Sequence, residues 1–327
     1  MKQVIALVFS DLHLNDWTKF NPDDTRTKNQ LKVLVSLLKK SEEQRIPLLF
    51  CGDLFHKPDI IRPELLNLIY EYLKENIGTQ QNRVVGYPIM YAISGNHEIN
   101  HISKVGEYPI SWIKLFSPIF RWMKCIDYQR VLINDKVMIH GIPYIDHNIG
   151  LSDYLKKMEL SLKLKHILIL HTDYPGAKDT DGREIGSVEN LNLNILNKFD
   201  LVLCGHIHKP QRLSKKVFMI GAPIQQRRTD RDCKMGYWKL YDDLSMGFVE
   251  IKGMPKFIDV DSEDKIKDDG NYYTVVAPIS SKVETKQHKI TKSLSKKSLA
   301  RKYLKVKGIT DKNKENLLIN VLKESEQ

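Results

Sequence analysis

A layered α/β fold is predicted by two features of this 327-residue sequence. Strand-like apolar runs alternate with amphipathic helical stretches through the first two thirds of the chain, the pattern of a sheet with helices on its outer faces. Five of those runs also end directly in short polar segments. In chain order these are Ser10-Asp11-Leu12-His13, Gly52-Asp53-Leu54-Phe55-His56, Gly95-Asn96-His97-Glu98, His171, and Gly205-His206-Ile207-His208. The runs that precede them are Val4 to Phe9, Leu48 to Cys51, Ile89 to Ile93, Ile167 to Leu170 and Leu201 to Cys204. Carboxyl ends of strands converge on one rim of such a fold, and its chemistry sits there.

The elements follow in order. Leu31, Leu34, Val35 and Leu38 recur at helical spacing within Thr27 to Lys40, opposite Lys28, Lys32, Ser36 and Lys39, and predict a crossover helix between parallel strands. Pro63 to Lys74 repeats the pattern, with Pro63 at the helix start and Leu65, Leu66, Leu68, Ile69 and Leu73 apolar. Further helices are predicted at Ser152 to Lys163 and Glu189 to Asn197. After His208 the runs Val217 to Ile220, Gly236 to Tyr241 and Gly247 to Ile251 are separated by turns, which predicts an antiparallel meander closing a second sheet against the first. Strand content around Phe257 to Val260 and Tyr272 to Val276 suggests a small cap over residues 255–289, following a main domain over 1–254. From Ile290 the pattern is helical again, with Leu294, Leu299, Tyr303 and Leu304, a break at Gly308 to Asp311, and then Leu317, Leu318, Val321 and Leu322. Two short amphipathic helices are expected over 290–327, with Thr310 or Asp311 capping the second.

Composition narrows the class. With 42% hydrophobic and 28% charged residues the chain reads as soluble and globular, and no apolar run approaches the roughly 20 residues that span a bilayer. The N-terminus enters a strand pattern too soon for a signal peptide, so a cytoplasmic protein is expected. Cys51, Cys125, Cys204 and Cys233 form no Cys-x-x-Cys pair, which argues against a structural zinc site or a disulfide framework. Net charge is +11 and unevenly placed: Lys282 to Gln327 carries 13 Lys or Arg against 5 Asp or Glu, a surplus of eight. On charge alone such a basic tail suits a polyanionic partner or, nearly as well, a simply solvated tail.

The five segments supply what a pair of closely spaced divalent cations requires. Asp11 and His13, two apart at a strand end, are expected to project in one direction and grip one metal together, and His206 and His208 repeat that spacing from another strand. Asp53 lies in a motif between the two candidate sets and is the natural bridge. Asn96 adds an amide oxygen, which suits manganese or iron better than a thiolate-loving metal. Two such metals clamp a phosphate ester for in-line displacement. His97 adjoins Asn96, so one side chain can coordinate while the other faces substrate and exchanges a proton near neutral pH. His101, His140, His147 and His166 lie outside the motifs and are expected to be structural or surface residues.

The ordered set Asp-x-His, Gly-Asp-x-x-His, Gly-Asn-His-Glu, His and Gly-His-x-His resembles the calcineurin-like metallophosphoesterase superfamily from about Val4 to Gln225. The resemblance implies a four-layered fold in which two β-sheets pack face to face between helices. Protein phosphatases of that superfamily carry Gly-Asp-x-Val-Asp-Arg-Gly at the second motif. Gly52-Asp53-Leu54-Phe55-His56-Lys57 is instead similar to the SbcD/Mre-type DNA repair nucleases. Ile220 to Gln225 and Gly236-Tyr237-Trp238 also resemble stretches of those nucleases. The resemblance implies Asp11, His13, Asp53, Asn96, His171, His206 and His208 as ligands of two divalent metals, best matched by manganese. It implies His97 as the group that protonates the leaving oxygen or stabilises the pentacovalent phosphate, and His56 as a phosphate-orienting group. The partners it implies are DNA, a second copy of the chain, and an SbcC-like ABC-type ATPase. Leu294, Leu299, Tyr303, Leu304, Leu317, Leu318 and Val321 would dock on the ATPase coiled coil. The segments Glu64 to Leu73 and Tyr108 to Trp122 are apolar enough for a helical dimer contact, and equally for core. Compact phage forms of this subunit are similar in size.

The sequence departs from the family after His171, where His171-Thr172-Asp173-Tyr174-Pro175-Gly176 replaces the usual His-Gln or His-Gly, and the loop from Gly176 to Gly186 reads as solvated, with a lid or a DNA-contacting loop as the alternatives. Two other classes compete with a DNA phosphodiesterase: a phosphatase or small-phosphodiester hydrolase using the same metals, and a non-catalytic scaffold. The missing Asp-Arg-Gly after Asp53 speaks against the former, and the full ligand set against the latter.

Overall fold

The computed structural model describes residues 2–77, 89–99, 105–106, 109–120, 122–185 and 191–276. A compact unit runs over Met1–Val276, and the expected helical segment 290–327, with Leu294, Leu299, Tyr303, Leu304, Leu317, Leu318 and Val321, lies outside the described residues. His101 does too.

Among the described residues two six-stranded sheets carry the fold. The first is built from β1 (Val4–Phe9), β2 (Leu48–Phe50), β3 (Met90–Ala92), β4 (Met123–Cys125), β11 (Gly236–Tyr241) and β12 (Met246–Glu250), in the order β12-β11-β1-β2-β3-β4. The second is built from β5 (Gln129–Asn134), β6 (Val137–Gly141), β7 (Lys165–His171), β8 (Leu201–Gly205), β9 (Gln211–Arg212) and β10 (Val217–Met219), in the order β5-β6-β7-β8-β10-β9. Strands β1 to β4 are mutually parallel, as are β6, β7, β8 and β10.

Strand alternation builds the layers. In β1 the side chains of Ala6 and Val8 join Ile139, Ile167, Ile169, Leu203 and Leu240 in a core between the sheets. Leu7 and Phe9 point the other way, into a second core with Leu31, Leu34 and Leu38 of α1 (Thr25–Gln44) and Leu65, Ile69 and Leu73 of α2 (Pro63–Ile77). On the far side, Leu168, Leu170, Val202 and Cys204 pack on Leu151 and Leu155 of α4 (Leu151–Lys157) and Leu196 of α5 (Leu193–Leu196). Helix, sheet, sheet and helix make the four layers, because parallel strands buried on both faces need apolar residues at odd and even positions alike. Each fully buried Leu or Phe contributes roughly 1.5–3 kcal/mol relative to exposure.

Three expectations change. The meander does not close one sheet. Strand β10 sits parallel to β8 in the second sheet, whereas β11 pairs antiparallel with β1 and β12 with β11 in the first. Alternation specifies which face a residue occupies and leaves its neighbouring strand open. The helix expected over Ser152 to Lys163 stops at Lys157, where the Lys198 ammonium donates to the carbonyls of Leu155 and Met158 and Met158 turns extended. The helix expected from Glu189 covers Leu193–Leu196 in the described residues, started by the Asn192 side chain, which accepts from the Asn194 N–H at 3.0 Å; residues 186–190 are not described.

Strand content after Pro255 takes the form of a parallel pair, β13 (Phe257–Val260) with β14 (Tyr272–Val275). Asp259 holds it to the rim by a two-pronged bond from Arg228, at 2.6 and 3.0 Å. The candidate dimer segments divide: Ile113 and Phe116 of α3 (Trp112–Phe116) enter the core, while Tyr70, Ile110, Leu115 and Ile119 are exposed. Among the described residues no helix is long and apolar enough to cross a membrane.

Candidate metal centre

The loops that leave β1 and β2 run alongside one another at the shared rim. Asp11 N–H donates to Gly52 O at 2.9 Å, His13 N–H to Asp53 O at 3.0 Å and Leu14 N–H to Leu54 O at 2.7 Å. Asp11, His13, Asp53 and His206 all adopt left-handed backbone, with φ of 54°, 52°, 63° and 92°. Side chains rarely accept that conformation, and such strain clusters at functional sites. Two glycines make room: a Cβ on Gly95 would collide with the Asp53 carboxylate, and one on Gly52 with the His171 ring. Glu98, almost wholly buried, ties the loops together, accepting the N–H groups of Asp53 at 2.9 Å, Gly95 at 2.7 Å and Phe55 at 2.8 Å.

All seven candidate ligands come together in two groups. Asp11, His13 and His208 form one, with His13 Nε2 at 3.1 Å from His208 Nε2 and 4.0 Å from Asp11 Oδ1. Asp53, His171 and His206 form the other. Asn96 joins it, its Oδ1 at 3.0 Å from His171 Nε2 and 2.9 Å from His206 Nδ1. Asp53 Oδ2 lies 3.2 Å from His171 Nε2 and 3.7 Å from His13 Nε2, so one oxygen faces both groups. The expected pairing of His206 with His208 does not occur. The left-handed turn at His206 sends Ile207 into the outer core, and the two rings part to different groups.

The donor chemistry fits two cations. His171 Nδ1 donates to the Cys51 carbonyl at 2.7 Å, which leaves Nε2 to face the oxygens of Asn96 and Asp53. In the first group two imidazole nitrogens face each other, and burial holds His13 well below the usual histidine range, so its ring is neutral. Imidazole nitrogens and carboxylate and amide oxygens converging in this way suit a cation. In the chain alone a proton serves instead. Burial opposes charge on His171, yet the adjacent Asp53 raises it to about 9. Burial would likewise raise Asp53, but His171 holds its carboxyl well below the usual carboxylate range.

His97 and His56 stand beside the first group. Their rings stack 5.2 Å apart at 17°, and His97 Nδ1 donates to the His56 carbonyl. His97 lines the cleft; His56 lies behind it, between His97 and Trp17, and is pushed down to about 4 by burial and then by His97. The cleft is about 320 Å³, bounded by His13, Asp53, His97, His206, His208 and, from outside the motifs, Arg227.

Sequence reasoning missed the carboxylates that orient two ligands. Asp173 Oδ1 lies 3.2 Å from His206 Nε2, which leaves Nδ1 for the metal side. Asp230, fully buried, sits 3.3 Å from His208 Nδ1 and also accepts the Gln226 N–H at 2.8 Å. Such partners fix tautomer and ring orientation. The departure at His171-Thr172-Asp173 was a signal for the first. The second lies 22 residues from its histidine with no motif to mark it. The loop read as solvated contributes Asp179, Thr180 and Ile185 to the cleft wall. Outside the site, His140 and His166 form a buried pair and His147 lies exposed beside Asp146, in line with structural and surface roles.

No curated protein matches the chain. Among solved structures it is similar to the protein TT1561 of Thermus thermophilus, at 14% identity over 76% of this chain and 99% of that one, with a TM-score of 0.42. It is also similar to a hypothetical protein from the same organism, at 12% identity over 68% of this chain and 76% of that one, with a TM-score of 0.32. Residues 6–210, which hold both ligand groups from Asp11 to His208, match the calcineurin-like phosphoesterase family, and the protein is therefore a member of that family of metal-dependent hydrolases.

Proposed function

We propose that this phosphoesterase is a manganese-dependent DNA phosphodiesterase of the SbcD type, working with an SbcC-like ABC-type ATPase in DNA repair, recombination or replication. The observation that carries phosphoester chemistry is the single Asp53 oxygen facing both ligand groups, with His97 in the cleft beside them. Asp11, His13, Asp53 and His208 would hold one cation, and Asp53, Asn96, His171 and His206 the other. The two cations, when bound, supply positive charge to the phosphate and acidify a water.

The chain's own groups do the rest. His97 commits Nδ1–H to the His56 carbonyl, so Nε2 is the position that exchanges a proton. A proton on Nε2 passes to the leaving oxygen as its bond to phosphorus breaks. His56, neutral and stacked behind, keeps the His97 ring in place. Arg227 on the cleft wall offers a fork of donors to a neighbouring phosphate.

DNA as substrate is supported by His56 in place of Asp-Arg after Asp53, and by the surplus of eight positive charges from Lys282 to Gln327. The ATPase is supported by the apolar positions Leu299, Tyr303, Leu304, Leu317, Leu318 and Val321, and a homodimer by the exposed Tyr70, Ile110, Leu115 and Ile119.

Purified protein with manganese should degrade linear double-stranded DNA. His97→Ala should lower that rate by about 10²–10⁴, the range for a lost proton donor, while elemental analysis still finds two metals per chain. Full activity in the variant would remove His97 from its role. A far higher rate on a chromogenic phosphodiester than on DNA would move the protein to small-phosphodiester hydrolysis.

A further inference from the structure

His97 owes much of its position to His56. Its Nδ1 donates to the His56 carbonyl, and its ring stacks on the His56 ring at 5.2 Å and 17°. His13 adds an edge-to-face contact, 4.7 Å away at 87°. The His56 ring is itself weakly tied by hydrogen bonding, with Nδ1 3.4 Å from His13 Nδ1. Packing must then keep it from turning, and the Trp17 indole supplies that packing at 4.8 Å between centroids.

The chain fixes Trp17 at several points. Its Nε1–H can only donate, and Gln30 Oε1 accepts it at 2.9 Å. The Gln30 amide is thereby oriented, so its Nε2 faces the carbonyls of Leu12 at 2.7 Å and His13 at 2.9 Å, which can only accept. Gln30 is 1% exposed on α1, and this one buried amide joins the indole to the loop that carries Asp11 and His13. The Arg26 guanidinium lies 3.7 Å from the Trp17 ring centroid and donates to the Gln226 carbonyl at 2.6 Å. Asn21 closes the segment: its amide nitrogen donates to the Trp17 carbonyl at 3.1 Å, and its oxygen accepts the Arg26 N–H at 2.9 Å. Trp17 is absent from the cleft wall. Whatever it does for the reaction passes through His56.

We propose that Trp17 is a positioning residue, which holds His56 against His97 and so keeps His97 Nε2 aimed at the oxygen that leaves phosphorus. The inference rests on His97 as the proton donor assigned above. Supporting side chains of this kind matter because a displacement of about 1 Å at a reacting group costs up to roughly a hundredfold in rate.

Rates with manganese on linear duplex DNA and on bis(p-nitrophenyl) phosphate test it. Trp17→Ala should lower kcat on DNA about tenfold or more, with KM and metal content retained. The loss should be far smaller on the nitrophenyl diester, whose leaving oxygen departs without help from an acid. Trp17→Phe keeps a ring against His56 and should recover most of the rate on DNA. In the metal-free chain labelled at histidine, the Cε1–H resonance of His97, assigned by its loss in His97→Ala, should shift in Trp17→Ala. Equal losses on both substrates, no recovery in Trp17→Phe, or an unmoved His97 resonance would each overturn the proposal. Full DNA cleavage by His97→Ala would instead remove the donor role itself, and this inference with it.

Discussion

His171 holds its proton against the buried Asp53 carboxylate, and that proton links metal binding to pH. An ordinary histidine titrates near 6.5; here Asp53 outweighs burial and the value is about 9. A histidine raised in the folded state stabilises it below its unfolded value, and the contribution is lost as pH rises through the folded one. The metal-free chain should therefore lose thermal stability between about pH 6.5 and 9. A divalent ion must displace the same proton, so manganese affinity should climb about tenfold per pH unit from pH 7 and level off above about 9. Calorimetry across that range checks it, and an affinity indifferent to pH would remove His171 from the ligand set. At this scale much was legible in the sequence, because each ligand adjoins an apolar run that marks a strand end. Asp173 and Asp230 were not legible as orienting groups: each reaches its histidine through a loop whose path depends on tertiary packing, and neither spacing is one that a strand or helix enforces.

Between the sheets, β11 does what the meander was expected to do, from the other side. Trp238 lies across from Val8 on β1 in the first sheet, and its Nε1–H donates 2.9 Å to the carbonyl of Ile220, which follows β10 in the second. The same ring packs edge to face on Phe218 of β10 at 5.3 Å. One side chain thus joins the two sheets close behind Ala222 and the loop to Gln226, whose amide in turn holds the carbonyls of Asp11 and Leu12. Trp238→Phe keeps an aromatic ring but leaves the Ile220 carbonyl without its donor. It should destabilise the protein by about 1–3 kcal/mol, read as a lower urea midpoint with an unchanged slope. An unaltered midpoint would show that the bond does not link the layers. The helices were legible because their apolar positions recur three and four apart, as in Leu31, Leu34 and Leu38. The partner of β11 was not, since Tyr237, Trp238 and Leu240 would satisfy an inward-facing strand in either sheet.

Across the whole chain, chemistry and charge are divided. The ligand groups, His97 and Arg227 all lie within Met1–Val276, whereas the sequence from Lys282 to Gln327 holds a surplus of eight positive charges out of a net +11. If the substrate is DNA, these contributions separate. Hydrolysis at phosphorus depends on the metal centre alone, while attraction to the polyanion depends on how many phosphates the cations neutralise, at about −0.9 in the log-affinity against log-salt slope for each. A chain ending at Val276 should therefore keep two metals and its rate on a small phosphodiester. Its affinity for duplex DNA at low salt should fall about tenfold or more, with a flatter salt dependence. Titration of labelled duplex at several salt concentrations measures both quantities. An unchanged slope would mean that the cations flanking the cleft, Arg227 among them, carry the DNA contact, and the tail would then be left to a protein partner. Loss of small-phosphodiester hydrolysis in the shortened chain would instead tie the tail to the chemistry itself.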